Sequence, residues 1–246
     1  MRERTLDLPG RDALLHWLMF TGVSVFAFVL LWYFGLIGDM VAGDRTRISS
    51  IIGLIYVACS LHCLIRILAV SREGKAAGRA AQTIVRGGGD LLPAKGADGL
   101  PPGLVAGHIA GLVAKAASQH ASRLDQTLLL RVLAARLRGS NGFGAFASDT
   151  LMKLGLLGTI VGFILMLAPI GGLDMENREA VHSSMSLMSA GMAVAMYTTL
   201  AGLVGSILLR IQYQFLEGAT SAIFAFAVDL TEVHVVSALE NRMRAR

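Results

Sequence analysis

The sequence predicts an all-α, polytopic membrane protein with four transmembrane helices and cytoplasmic helical extensions. Three observations carry this reading. Of the 246 residues, 54% are hydrophobic and only 16% are charged, where soluble domains carry about a quarter charged residues. Mean hydropathy is +0.61, and the apolar runs reach roughly 20 residues, enough to cross a hydrocarbon core of about 30 Å. The basic residues behind the net charge of +5 lie in segments flanking those runs. Membrane orientation accounts for such a distribution without nucleic acid as a partner.

Residues 1–12 are polar and include Arg2, Arg4 and Arg11. The first span runs from about Ala13 to Ile37, with Trp17, Trp32 and Tyr33 near its ends, where amphipathic rings favour the interface. It is longer than a signal-peptide core and no small-residue cleavage site follows it. A short polar loop with Arg45 and Arg47 leads to the second span, about Ile48 to Val70. Arg66, inside its far end, can extend to the headgroups. Cys59 and Cys63 are too few for a disulfide framework. Together with His62 they do not complete a tetrahedral metal site, so no metal or cofactor is expected.

Residues 71–148 differ in kind. The stretch from Ser71 to Gly103 gathers Gly, Pro and Ala and loses its periodicity, which reads as a frayed helix followed by a linker. Helical periodicity returns from Leu104 to Arg138, with Leu112, Ala116, Leu124, Leu128, Val132 and Leu137 near turn spacing. Gly139 to Gly144 breaks it, and Ser148 or Asp149 is placed to cap the next helix. The third span covers about Thr150 to Ala168 and stops at Pro169, Gly171 and Gly172. A charged loop, 171–184, follows, with Asp174, Glu176 and Glu179 against Arg178, and then the fourth span, about Met185 to Leu209. Beyond Arg210 the helix continues as an amphipathic tail whose apolar core is too short to span. The organisation is therefore a two-span hairpin at 1–70, a linker and helix at 71–148, a second hairpin at 149–213 and a C-terminal helix at 214–246. The lysine and arginine bias puts both termini and the middle region in the cytoplasm.

The second hairpin carries the candidate site. Gly155, Gly158 and Gly162 crowd the third span, and Gly191, Ala195, Gly202 and Gly205 the fourth. Gly158 to Gly162 is a GxxxG pattern, whose plain reading is close helix packing. Thr159, Thr198 and Thr199 place hydroxyls at mid-depth, and each could simply bond the carbonyl one turn back. On a helical wheel Thr199 shares a face with Met192, Ala195, Gly202 and Ser206. That face suits either another backbone or a narrow aqueous lumen. Lys153 lies at the cytoplasmic mouth, where it reads as a headgroup-reaching side chain or as a gate residue. His182, just before the fourth span, is most simply a solvated loop residue. No phosphate loop, catalytic triad or zinc-protease helix is present, so the chain is not expected to be an enzyme. The middle of each span also lacks any Asp or Glu. Proton conduction normally needs a titratable group at depth, so any such carboxylate must come from another chain.

Residues 154–163, LGLLGTIVGF, resemble the first signature of the MotA/TolQ/ExbB proton-channel family. Ala190 to Ala193 and Thr198 to Val204 are similar to its second, a small-residue helix with threonine before a Gly-Leu pair. The likeness covers roughly 149–213, and the four-span layout is similar to the MotA branch. The resemblance implies a homopentamer in the bacterial inner membrane, with residues 1–70 peripheral. Five copies would surround two copies of a single-span ExbD/TolR/MotB-like partner that supplies the titratable Asp. It implies that the proton motive force drives motion of that partner, with H+ as the ion and Na+ as the alternative. Thr159 and Thr199 match the threonines that face the partner's aspartate, and Thr198, Ala195, Gly202 and Ser206 are carried with them as pore-facing. Gly155, Gly158 and Gly162 are assigned to helix packing and Lys153 to a possible gate. Two positions depart from the ExbB pattern. Val194 stands where a glutamate is usual, and Met152 where a proline is. The competing reading is a membrane scaffold or assembly protein whose GxxxG hairpin only packs helices.

Overall fold

Apart from short connections, the computed structural model is helical throughout its described residues, which are 11–44, 46–86, 101–118, 124–139, 142–172 and 178–244. Sequence readings that concern Arg2, Arg4, Arg45, Asp174, Glu176 and the linker at 87–100 lie outside them. The elements in order are α1 (Arg11–Tyr33), α2 (Leu36–Gly43), α3 (Ile48–Arg86), α4 (Leu104–Ser118), α5 (Thr127–Arg138) and α6 (Gly142–Leu167). A 3₁₀ turn (Ala168–Gly172) follows, then α7 (Arg178–Leu230), a π turn (Thr231–Val236) and α8 (Ser237–Arg244). Four helical stretches are long and apolar enough to cross a membrane, one each within Leu14–Tyr33, Ile48–Val85, Thr127–Ile170 and Arg178–Asn241. This is a multi-pass membrane protein.

The chain divides into two compact units. The first comprises 18–63 and 142–213; the second takes its described residues from 1–17, 64–141 and 214–246. The division differs from a simple run of hairpins because α1, α3 and α7 each contribute to both units. In the first unit Ile52, Cys63, Leu151, Val194 and Leu209 are buried. Leu156, Ile160, Phe163, Ile164, Met196, Leu200 and Ile207 are exposed, the pattern of a bundle that presents apolar side chains to lipid or to neighbours. In the second unit the core includes a stripe on α7, Leu216, Ala219, Ile223, Ala227 and Leu230, at the spacing of a packed amphipathic helix.

Five sequence expectations change. The first span ends at Tyr33, because Gly35 takes a left-handed φ of 78° that glycine adopts freely; residues 36–43 then form the separate helix α2. Residues 71–86 are not frayed but continue α3. Apart from Ile84, their buried residues are small, Ser71, Gly74, Ala76, Ala77, Gly78, Ala80 and Ala81, so a reading that counts bulky apolar residues passes over most of them. The periodic stretch 104–138 is two helices, α4 and α5, which pack on each other. Asp125 opens α5 by accepting from Thr127 N at 2.9 Å and Thr127 Oγ1 at 2.6 Å. Those hydrogen bonds, from the hydroxyl first, lower its pKa. Ser148 and Asp149 do not cap α6, which starts at Gly142; Ser148 Oγ donates back to Ala145 O at 3.0 Å within it. Finally α7 starts at Arg178, which places His182 on a helix, exposed, rather than in a loop.

The start of α4 shows how the second unit satisfies its backbone. The first amides of a helix lack internal partners, and Glu73 of α3 supplies one acceptor to two of them, Leu104 N and Val105 N. A Cβ on Gly103 would lie 2.8 Å from Glu73 Oε1, so glycine there gives the carboxylate access.

Candidate functional site

In the first unit α6 and α7 approach backbone to backbone. Gly155, Gly158 and Gly162 are buried on α6. Their partners run the opposite way along α7: Gly202 against Gly155, Thr198 against Gly158 and Ala195 against Gly162, with Gly191 reaching Met166. A Cβ on Gly162 would sit 2.6 Å from Ala195 N, and one on Gly202 would sit 2.7 Å from Gly155 Cα. The two backbones therefore touch, and many weak dispersion contacts replace side-chain interdigitation. Thr198 sits inside this seam. It is 0% exposed, lies over Gly158, and its hydroxyl donates to Val194 O at 2.8 Å with Ala195 O at 3.1 Å.

The helical-wheel face that joined Thr199 to Met192, Ala195, Gly202 and Ser206 is divided in the structure. Met192 and Thr199 are exposed, whereas Gly202 is in the seam and Ser206 is buried, donating to Leu203 O at 2.9 Å. The cover over α7 changes along its length. A Cβ at Gly205 would meet Leu151 and Ile52, so one stripe begins open and ends covered.

Thr159 of α6 and Thr199 of α7 come together in an open depression of about 540 Å³, walled by Ala195, Met196, Tyr197, Leu200 and Leu203. The wall holds hydroxyls and apolar groups and no charge. Thr159 Oγ1 donates to Leu156 O at 2.5 Å, and Thr199 Oγ1 donates to Ala195 O at 3.0 Å. A hydroxyl has one proton and two lone pairs. In this arrangement both present acceptors, and each becomes a donor after rotating its O–H off its own helix.

Val194 does not share that depression. Five residues before Thr199 on a 3.6-residue helix, it lies about 140° away around the axis. It is fully buried and walls a separate cavity of about 310 Å³ with Thr46, Leu165, Pro169 and Gly191. Lys153 Nζ pairs with Asp149 Oδ2 at 2.6 Å, with the side chains 71% and 47% exposed; such surface pairs stabilise little. Met152, beside it, is exposed.

Three features of this unit escape a reading of spans alone. Asp44 is buried and accepts from Thr46 N at 3.1 Å, Thr46 Oγ1 at 2.6 Å and Ser49 N at 2.6 Å. Burial is the largest influence on its carboxyl and pushes the pKa up, but the hydrogen bonds, the Thr46 hydroxyl foremost, together outweigh it and hold the pKa below the ordinary range. The Asp-x-Thr sequence before a helix start was the available signal. Gln212 is fully buried on α7 and its Nε2 donates to Tyr56 OH at 3.3 Å and Thr21 Oγ1 at 3.4 Å, tying α7 to α3 and α1. Tyr213 OH is 2.8 Å from His62 Nδ1, and Cys63 Sγ donates to Gln212 O at 3.6 Å. His62 and Cys63 therefore serve helix-to-helix contacts.

A sequence model of the MotA/TolQ/ExbB proton channel family matches residues 105–226. No match was found among curated proteins or among solved structures.

Proposed function

Through residues 105–226 this chain belongs to the MotA/TolQ/ExbB proton channel family, and we propose that it is the channel-forming, stator-type subunit of a membrane motor. The observation that carries the proposal is the uncharged depression in which Thr159 and Thr199 face one another's surroundings. In the proposed assembly five copies, oriented with both termini and residues 71–148 in the cytoplasm, enclose two copies of a single-span partner. The partner's membrane aspartate is the proton carrier, because none of the four spans has an acid of its own at mid-depth. When protonated, that carboxyl donates to a threonine oxygen. When it has released its proton, a threonine turns its O–H toward the carboxylate and offsets part of the cost of an anion in low dielectric. The chain itself performs no covalent chemistry; the proton motive force supplies the work.

Two family-derived details take a modified form. With Val194 buried away from the depression, we assign this chain no second acid in the path. Lys153, already paired with Asp149, is assigned to the mouth as a neutral pair rather than as a lone cation.

The test is co-expression with a single-span protein bearing a membrane Asp. A stable complex with five of these chains by native mass spectrometry is expected, together with proton uptake that Thr199→Val lowers at least tenfold while the complex stays intact. Substituting Na+ gradients distinguishes the alternative ion. A second reading is favoured by one observation, that Thr159, Thr198 and Thr199 all close on their own helix. It is a scaffold whose glycine seam only packs helices. In that case Thr199→Val and Thr159→Val leave function unchanged, and a chain that never assembles with such a partner would sink the motor reading.

A further inference from the structure

The second unit contains a small built cavity that the ion path does not use. About 120 Å³ in volume, it lies where α4 and α5 meet and is lined by His108 and Arg136 among apolar residues that include Leu104, Leu129 and Leu133. By the same measure one water needs about 10–15 Å³, so the space takes a group of several heavy atoms. His108 is 7% exposed, and its Nε2 is buried with no hydrogen-bond partner among the described residues. Buried polar atoms are nearly always paired, which makes this nitrogen a pointer to a ligand.

The chemistry of that ligand follows from the ring's state. Burial pushes the His108 pKa down, against the opposing pull of Gln126 and of the Leu129 backbone. At neutral pH the ring is therefore uncharged, with one N–H and one lone pair. A hydrogen bond that favours the protonated ring is one the ring donates. We take the Leu129 carbonyl as the acceptor of the Nδ1 proton, which leaves Nε2, without a partner among the described residues, as the acceptor for a ligand. The ligand must bring a donor to Nε2 and negative charge to Arg136. Carboxylates on the neighbouring elements are engaged elsewhere: Glu73 by Leu104 N and Val105 N, Glu232 by Gln126 Nε2 and Glu240 by Leu124 N at 3.0 Å. Arg136 is thus the charge that the cavity presents.

The structure assigns this cavity to a hydrogen-phosphate group, as inorganic phosphate or a phosphomonoester, whose P–O–H donates to His108 Nε2 while an unprotonated oxygen accepts from Arg136. Phosphomonoesters have a second pKa near 6, so a protonated oxygen is available around neutral pH. Sulfate has a similar shape and no such proton. The group comes either from solution or from the headgroup of a monoester phospholipid, and the two sources share this chemistry. The site stands independently of the ion path.

The experiment uses the full chain, in detergent and in nanodiscs, titrated at pH 6.5 with inorganic phosphate and with sulfate by calorimetry. Phosphate is expected to bind at least tenfold more tightly than sulfate. Arg136→Gln, on the exposed rim, is expected to weaken phosphate at least tenfold without changing the melting temperature of the unliganded protein; His108→Leu gives the same loss if it folds. Nanodiscs containing phosphatidic acid that block phosphate binding identify the lipid as source, and nanodiscs that leave it unchanged identify the soluble group; each supports the site. Equal binding of sulfate, unaltered phosphate binding in Arg136→Gln, or no phosphate binding at all overturns it.

Discussion

At the scale of single residues, Asp44 shows how a short connection between spans is fixed. Its carboxylate satisfies Ser49 N, one of the amides that the start of α3 leaves without an internal acceptor, and also holds Thr46. Removing such an acceptor costs about 0.5–2 kcal/mol, so Asp44→Ala should lower the thermal midpoint of the purified protein measurably. Because the folded pKa is depressed, the carboxylate's contribution is complete above the ordinary Asp range, near about 3.9. It is lost as pH falls through the folded value. Asp44→Asn should therefore flatten the acid limb of the stability-versus-pH curve; an unchanged limb would show that the charge matters little there. Thr198 and Thr199 make a second residue-scale contrast. They are adjacent in sequence and both bond backward, yet one is sealed against Gly158 and the other faces open space. Thr198→Val, which exchanges the hydroxyl for a methyl of similar size at a packed site, is expected to leave the seam intact.

At the scale of elements, α6 and α7 depend on backbone contact. Gly162→Val would force side-chain atoms into the Ala195 backbone. Overpacking of this kind costs about 1–3 kcal/mol and should separate the helices. Gly205→Ala should be tolerated, since a Cβ there would meet Leu151 and Ile52 at 3.8 and 3.9 Å, ordinary contact distances. Comparing the thermal midpoints and detergent-resistant assembly of the two variants checks this, and equal damage from both would contradict the seam. The same element scale explains the misjudged helix at 71–86. Alanine is the best helix former, and a buried Gly/Ala face packs through backbone proximity, so it leaves little hydrophobic periodicity to read.

At the scale of the whole molecule, α7 is 53 residues long, about 80 Å at 1.5 Å per residue. That is more than twice a hydrocarbon core of about 30 Å. Much of it must therefore lie outside the bilayer; Leu216, Ala219, Ile223, Ala227 and Leu230 are buried in the second unit and face protein instead of lipid. The exposed Leu156, Ile160, Phe163 and Leu200 of the first unit need lipid or a neighbouring subunit. The protein is expected to stay with membranes through an alkaline carbonate wash; release into the supernatant would contradict the assignment of spans.

The sequence by itself determined the class, the four apolar stretches, the family signatures and the identity of the mid-depth hydroxyls. All of these depend on composition and on order along one strand of chain. Only the tertiary structure decided which hydroxyl faces open space, that Val194 looks into a different cavity from Thr199, that Gln212 and Tyr213 tie helices together, and that α3 and α7 pass from one compact unit to the other. The physical reason is that a helical wheel fixes angles around one axis but not what covers each angle. That cover comes from neighbouring helices, and it changes along α7 between Thr199 and Ser206.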